Sequence, residues 1–91
     1  MIKRDIVIKN RFGIHARPAT MIVKAASKYK SNITFEKDGK GGEVVNAKSI
    51  MELLLLEAYK DTKIKITANG VDEEKAMTTI IEIIERGFDE E

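Results

Sequence analysis

Cysteine and tryptophan are absent from the 91-residue chain, and histidine and proline occur once each, as His15 and Pro18. Without cysteine there is no disulfide, no thiolate nucleophile and no cysteine-held zinc or iron–sulfur centre, and one histidine is too few to anchor a transition metal. No metal site is expected. Aromatic residues are sparse, being only Phe12, Tyr29, Phe35, Tyr59 and Phe88, too few for a base-stacking platform. Charge of one sign is lacking as well: 16 basic residues oppose 15 acidic ones, for a net charge of +1, so nothing global draws the chain to nucleic acid or to an anionic membrane. Any anion site has to be local. Apolar runs stay well below the length of a membrane span, and the opening MIKRDIVIKN mixes charges with its apolar residues and has no small-residue cleavage site, unlike a secretion signal. The expected address is the cytoplasm, with no membrane insertion.

What is present suits one compact unit. Hydrophobic residues at 43% and charged residues at 34% fit a well-solvated globule around one core, and residues 1–91 read as a single domain. Ile6 and Ile8 alternate with Asp5, Val7 and Lys9, the period of a strand with one buried face. Beyond a turn permitted by Gly13, the spacing of Ala19, Ile22, Val23 and Ala26 gives a helix that starts directly after His15, with Pro18 in its first turn and an end around Tyr29–Ser31. Ile33–Phe35 reads as a second strand, Lys37–Gly42 as a glycine-rich loop, and Glu43–Asn46 as a third strand that completes a hairpin.

Ser49 and Glu52 match a capping box that opens a short helix through Leu53–Ala58. Thr62–Ala68 alternates again, with Ile64 and Ile66 inward. Asp72 is placed as the cap of a final helix with Glu73 and Glu74 in its first turn and a stripe of Ala76, Met77, Ile80, Ile81, Ile83 and Ile84; Gly87 stops it and Phe88 folds back. The order βαββαβα predicts an α+β, two-layer open-faced sandwich: a four-stranded antiparallel sheet with three helices on one face.

The segment Gly13-Ile14-His15-Ala16-Arg17-Pro18 carries the chemistry. A helix start offers amides without intrahelical partners and the positive end of the dipole, so it receives phosphate. Imidazole is nucleophilic near neutral pH, and its phosphoramidate is labile enough to be handed on. His15 and Arg17 are the reacting pair, with Arg17 and Ala16 holding the phosphate during an in-line transfer governed by positioning and charge. Pro18 stiffens the turn. A lone histidine is more often a surface or structural residue, but here the dipole and Arg17 both disfavour a protonated ring unless an anion visits.

Gly13-Ile14-His15-Ala16-Arg17-Pro18-Ala19-Thr20 resembles the active-site signature of the HPr phosphocarriers of the bacterial phosphotransferase system, and Asn46-Ala47-Lys48-Ser49-Ile50-Met51 resembles their second signature. The resemblance runs from about Asp5 to Phe88. It implies that His15 is phosphorylated on Nδ1, that Enzyme I charges it at the expense of phosphoenolpyruvate, and that enzyme IIA domains receive the group. It also implies no metal or organic cofactor, and a chain that serves as a protein substrate of Enzyme I rather than as an independent turnover enzyme. Ser49 matches the serine that HPr kinase/phosphorylase modifies in some bacteria, although helix capping explains it equally. Three departures stand out. The loop Lys37–Gly42 looks longer than usual, Glu52 and Glu57 replace glycines common in sugar-pathway members, and both Leu53–Ala58 and the terminal Gly87–Glu91 look more like the nitrogen-regulatory branch, NPr. The branch stays open.

An apolar patch of Ile50, Met51, Leu53 and Leu54 beside His15 suits docking on other proteins, although core packing must claim two of the four leucines Leu53–Leu56. The candidate interface is Thr20, Lys24, Lys48, Ile50, Met51 and Leu54, with Lys28 also near the rim, on an expected monomer. The competing function is a regulatory signalling module, read through phosphorylation of His15 or Ser49 rather than through sugar uptake.

Overall fold

The computed structural model describes residues 1–37 and 42–90. Its strands are β1 (Ile2–Val7), β2 (Asn32–Lys37), β3 (Val44–Asn46) and β4 (Lys63–Asn69), and its helices are α1 (Ala16–Ala26), α2 (Ile50–Leu55) and α3 (Glu73–Glu85). All strands join one antiparallel sheet in the order β1-β4-β2-β3. Its register sets Ile6 opposite Ile64, Ile33 opposite Ala68, and Phe35 between Ile66 and Val45. These side chains are buried, and the alternate set Lys3, Asp5, Thr34, Lys65 and Thr67 keeps access to solvent. A slip of one residue would exchange the two sets, so the isoleucine alternation fixes the pairing.

Pro18, Ala19, Ile22, Ala25 and Ala26 of α1 and Ala76, Met77, Ile80, Ile83 and Ile84 of α3 are buried, and α1 packs against both α2 and α3. Each fully buried isoleucine contributes about 1.5–3 kcal/mol relative to an exposed one. Ile81, expected in the stripe, is only partly buried and lines an open groove of about 890 Å³ between β1 and α3.

Element ends differ from the sequence expectation for local reasons. β1 starts at Ile2, because Ile2, Lys3 and Arg4 pair with Ala68, Thr67 and Ile66 at the sheet edge, where charged side chains still reach water. Ile8 lies past its end, yet donates its N–H to the Thr62 carbonyl at 3.0 Å. α1 stops at Ala26 rather than around Tyr29–Ser31, since the amides of Lys28 and Tyr29 donate to Ala25 and Ala26 and tighten the last turn. The capping box is half made: Ser49 Oγ accepts from the Glu52 amide at 3.2 Å, but Glu52 Oε1 accepts from the Asn46 amide at 2.9 Å instead of turning back to Ser49. α2 ends at Leu55, short of Ala58. The loop thought longer than usual falls largely on residues 38–41, outside the described residues.

Asp72 precedes α3 but makes no side-chain cap for it. Its carboxylate reaches across instead, accepting from the Ser31 hydroxyl at 2.5 Å and from the amides of Lys30 and Ser31 at 2.8 and 3.0 Å. Bonds from the Ser31 hydroxyl first, then the Lys30 amide, pull its pKa down from the ordinary 3.8 to about 2. Because the folded value is depressed, the stabilisation is complete above pH 4 and disappears as the pH falls through 2. Denaturant melts of the wild type and Asp72→Asn between pH 5 and pH 2 are therefore expected to converge toward the acid end, and a difference independent of pH would refute this origin.

After α3 the backbone turns left-handed at three successive residues, with φ of +65° at Gly87, +59° at Phe88 and +58° at Asp89. Glycine adopts this freely and aspartate tolerates it, whereas phenylalanine is strained there. The compensation is Phe88, which is fully buried in the core cluster that contains Ile83 and Ile84. The turn directs Glu90 back over the start of α1.

Candidate functional site

The loop leading to α1 is fixed from below. Ile14 donates to the Ala58 carbonyl at 2.8 Å, and Gly13 to the Asn10 carbonyl at 3.2 Å. Gly13 has a φ of +67°, and a Cβ there would stand 2.2 Å from the Ala58 carbonyl oxygen and 2.6 Å from the Tyr59 Cα. Only glycine lets the two backbones lie this close. The chain then extends at His15, with φ −97° and ψ −166°, and enters the helix.

His15 is thus the N-cap residue of α1, as its position before Ala16 led us to expect, and its side chain makes no cap bond. A capping side chain normally accepts from the second or third helical amide. Here the third residue is Pro18, which has none. The amides of Ala16 and Arg17 are the first two of the helix and lack intrahelical partners. The imidazole is 39% exposed, so it is not packed in the interior. The exposed Phe12 ring stands edge-on to it at 6.1 Å between centroids.

The visiting anion that the electrostatics called for is supplied by the chain itself. Glu90 Oε2 lies 2.9 Å from His15 Nε2 and 3.7 Å from the Arg17 guanidinium, and Oε1 accepts from Asn10 Nδ2 at 3.0 Å. Arg17 also donates to the Phe88 carbonyl at 3.4 Å. The Asn10 amide, followed by the charge and hydrogen bond of His15 and the charge of Arg17, holds the Glu90 carboxyl below the usual carboxylate range. Asn10 is buried, and its Nδ2 donates as well to the Gly13 carbonyl at 2.8 Å. Asn10 and Glu90 were both missed from the sequence. An acidic residue just past a Gly-Phe helix stop was the one available signal.

The remaining candidates divide. Thr20 is exposed and donates to the Ala16 carbonyl at 2.9 Å, and Lys24 is exposed in the last turn of α1. Lys48 is tethered, its Nζ donating to the Tyr29 carbonyl at 2.8 Å. Ile50, Met51 and Leu54 are exposed, but Leu53 is fully buried and leaves the proposed patch; Leu55 takes its place on the surface, while Leu56 packs inside. A six-residue helix turns one residue per 100°, so four consecutive leucines must divide between core and solvent. Ser49 is half-exposed.

A family model described as "PTS HPr component phosphorylation site" matches residues 2–86. The chain belongs to the HPr family. Phosphocarrier protein HPr of Borreliella burgdorferi is 44% identical over 85 residues, covering 93% of this chain and 95% of that protein. HPr-C-His from Thermoanaerobacter tengcongensis superimposes with a TM-score of 0.93 at 44% identity, covering 100% of this chain and 99% of that one. An HPr dimer from the same organism gives 0.77 at 43% identity, with 99% and 100% covered. These HPr relatives bear out the open-faced sandwich. The function is that of an HPr phosphocarrier working with the enzymes of the phosphotransferase system, and the purely regulatory alternative is not favoured.

Proposed function

We propose that His15 accepts the phosphoryl group on Nδ1 from phosphoenolpyruvate-charged Enzyme I and passes it to enzyme IIA domains in the cytoplasm, as one carrier domain over residues 1–91. The observation that carries this is the half-exposed ring of the N-cap residue of α1, next in the chain to Ala16 and Arg17, whose amides lack intrahelical partners. Those amides and the positive dipole end receive the phosphoryl oxygens. Arg17, a neighbour on the same turn, balances their charge as the group moves between the two proteins.

Thr20, Lys24, Ile50, Met51, Leu54 and, from the structure, Phe12 and Leu55 form the surface we assign to partner docking, with Lys48 as a weaker member because it is tethered. Exposed apolar groups within a charged rim suit brief protein contacts. For the oligomeric state we favour a monomer: Lys3, Arg4 and Asp5 place charges along the free edge of β1, which discourages edge-to-edge pairing. Ser49 is a secondary candidate for HPr kinase/phosphorylase, supported by the diversion of the Glu52 carboxylate to Asn46, away from where a phosphate would repel it.

Incubation with phosphoenolpyruvate and Enzyme I, followed by candidate IIA domains, tests the reading. The expected label is acid-labile and alkali-stable, and it moves on to an acceptor. An acid-stable label, or none, defeats the carrier mechanism as written.

A further inference from the structure

We propose that Glu90 is a positioning residue, which keeps the neutral His15 ring protonated on Nε2 and leaves the Nδ1 lone pair as the attacking atom. The inference rests on the reading of His15 as the phosphoryl acceptor and adds why one ring nitrogen is chosen.

The chain of bonds leaves little freedom. Asn10 Nδ2 faces the Gly13 carbonyl at 2.8 Å and Glu90 Oε1 at 3.0 Å. Both are acceptors, so the amide nitrogen must point there, and Asn10 Oδ1 is left with no partner among the described residues. With Oε1 engaged, Oε2 faces His15 Nε2 at 2.9 Å. An ionised carboxylate only accepts, so the ring nitrogen it meets carries the hydrogen. In a neutral imidazole the other nitrogen then holds the lone pair. Nothing in the helix competes for it, because His15 makes no cap bond and Pro18 offers no amide. The left-handed turn over Gly87–Asp89 and the buried Phe88 show what holds the carboxylate in place.

The transfer balances without moving a proton. The Nδ1 pair forms the N–P bond as the bond from phosphorus to the donor atom breaks, and that electron pair leaves with the donor. The ring becomes cationic with its Nε2–H still directed at Glu90, whose charge offsets it. On delivery the N–P bond breaks, the pair returns to Nδ1, and the ring is neutral again.

Glu90→Gln separates this role from simple bulk. Asn10 still requires an oxygen at the Oε1 position, so the glutamine nitrogen is turned toward the ring. Facing a donor, ring Nε2 has to accept, and the proton shifts to Nδ1. Nitrogen-15 spectra of the histidine-labelled protein, taken where the ring is neutral, are expected to show the Nε2–H form in the wild type and the Nδ1–H form in Glu90→Gln. Glu90→Ala, with neither partner, should lie between them. Phosphorylation by Enzyme I and phosphoenolpyruvate should slow at least about tenfold in Glu90→Gln, the lower end of what is lost when the group that orients a functional histidine is replaced. A wild-type tautomer and rate in Glu90→Gln, or identical behaviour of the two variants, overturns the positioning role alone. Label on a residue other than His15 overturns the acceptor assignment and takes the positioning role with it.

Discussion

Alanine at position 15 is expected to abolish the acid-labile, alkali-stable phosphoryl label while leaving the fold standing. His15 is the chain's only histidine, so no second imidazole is available, and transfer to a hydroxyl such as that of Ser49 would give an acid-stable ester instead. The fold survives because the residue's structural duties are carried by its backbone: its carbonyl accepts from the Ala19 amide at 2.9 Å, and its amide donates to the Gly13 carbonyl at 3.1 Å. The side chain caps nothing. What is lost is two partly exposed contacts, to Glu90 and to the edge of the Phe12 ring, together worth about 1–2 kcal/mol, and Glu90 keeps Asn10 and Arg17 as partners. Labelling gels beside thermal melts check both halves. Residual acid-labile label in the variant would sink the assignment.

Gly13→Ala should do the reverse, damaging the fold first and the site through it. The new Cβ would meet the Ala58 carbonyl oxygen at 2.2 Å and the Tyr59 Cα at 2.6 Å. Both are backbone atoms, so no rotamer can relieve the clash. A left-handed φ adds about 1–2 kcal/mol for any residue with a Cβ. To escape, the loop must lift from residues 58 and 59, which removes the Ile14 bond to Ala58 and leaves two buried polar groups short of a partner, at about 1–3 kcal/mol. The expected destabilisation is about 3–5 kcal/mol, read from denaturant melts. Because Gly13 lies two residues before His15, the surviving folded protein should also accept phosphate more slowly. Stability within about 1 kcal/mol of wild type would show that the close approach is unimportant.

The parts of this molecule that sequence made plain are those governed by neighbours along the chain. The alternation of Ile64 and Ile66 gave the inward face of β4, Pro18 marked the first turn of α1, and Gly87 stopped α3, because each follows from backbone sterics or a period within a few residues. Errors arose where a distant group outbid the local one. Asp72 does stand at the N-cap position of α3, yet the Lys30 and Ser31 amides, some forty residues away, took the carboxylate that was to cap it. Glu52 was expected to complete a capping box and went to Asn46 instead. The site showed the same division. His15, Ala16 and Arg17 sit on contiguous residues and were found together, whereas Glu90 lies 75 residues from His15 in a run of acids that reads as a solvated tail. Leu53 was misplaced on the surface for a subtler reason, since four leucines in a row carry no period that says which ones turn inward.

With His15 as the proposed acceptor, Pro18 would also limit how firmly the group is held. With no hydrogen on its nitrogen, the mouth of α1 presents two amides to a guest rather than three. A third charge-assisted bond made to the loaded state and not kept in the transition state would raise the barrier to delivery by roughly 1.5–3 kcal/mol and slow it by about ten- to a hundredfold. On the reading of His15 as the acceptor, the missing donor would leave the loaded state less deeply stabilised and so favour its onward transfer.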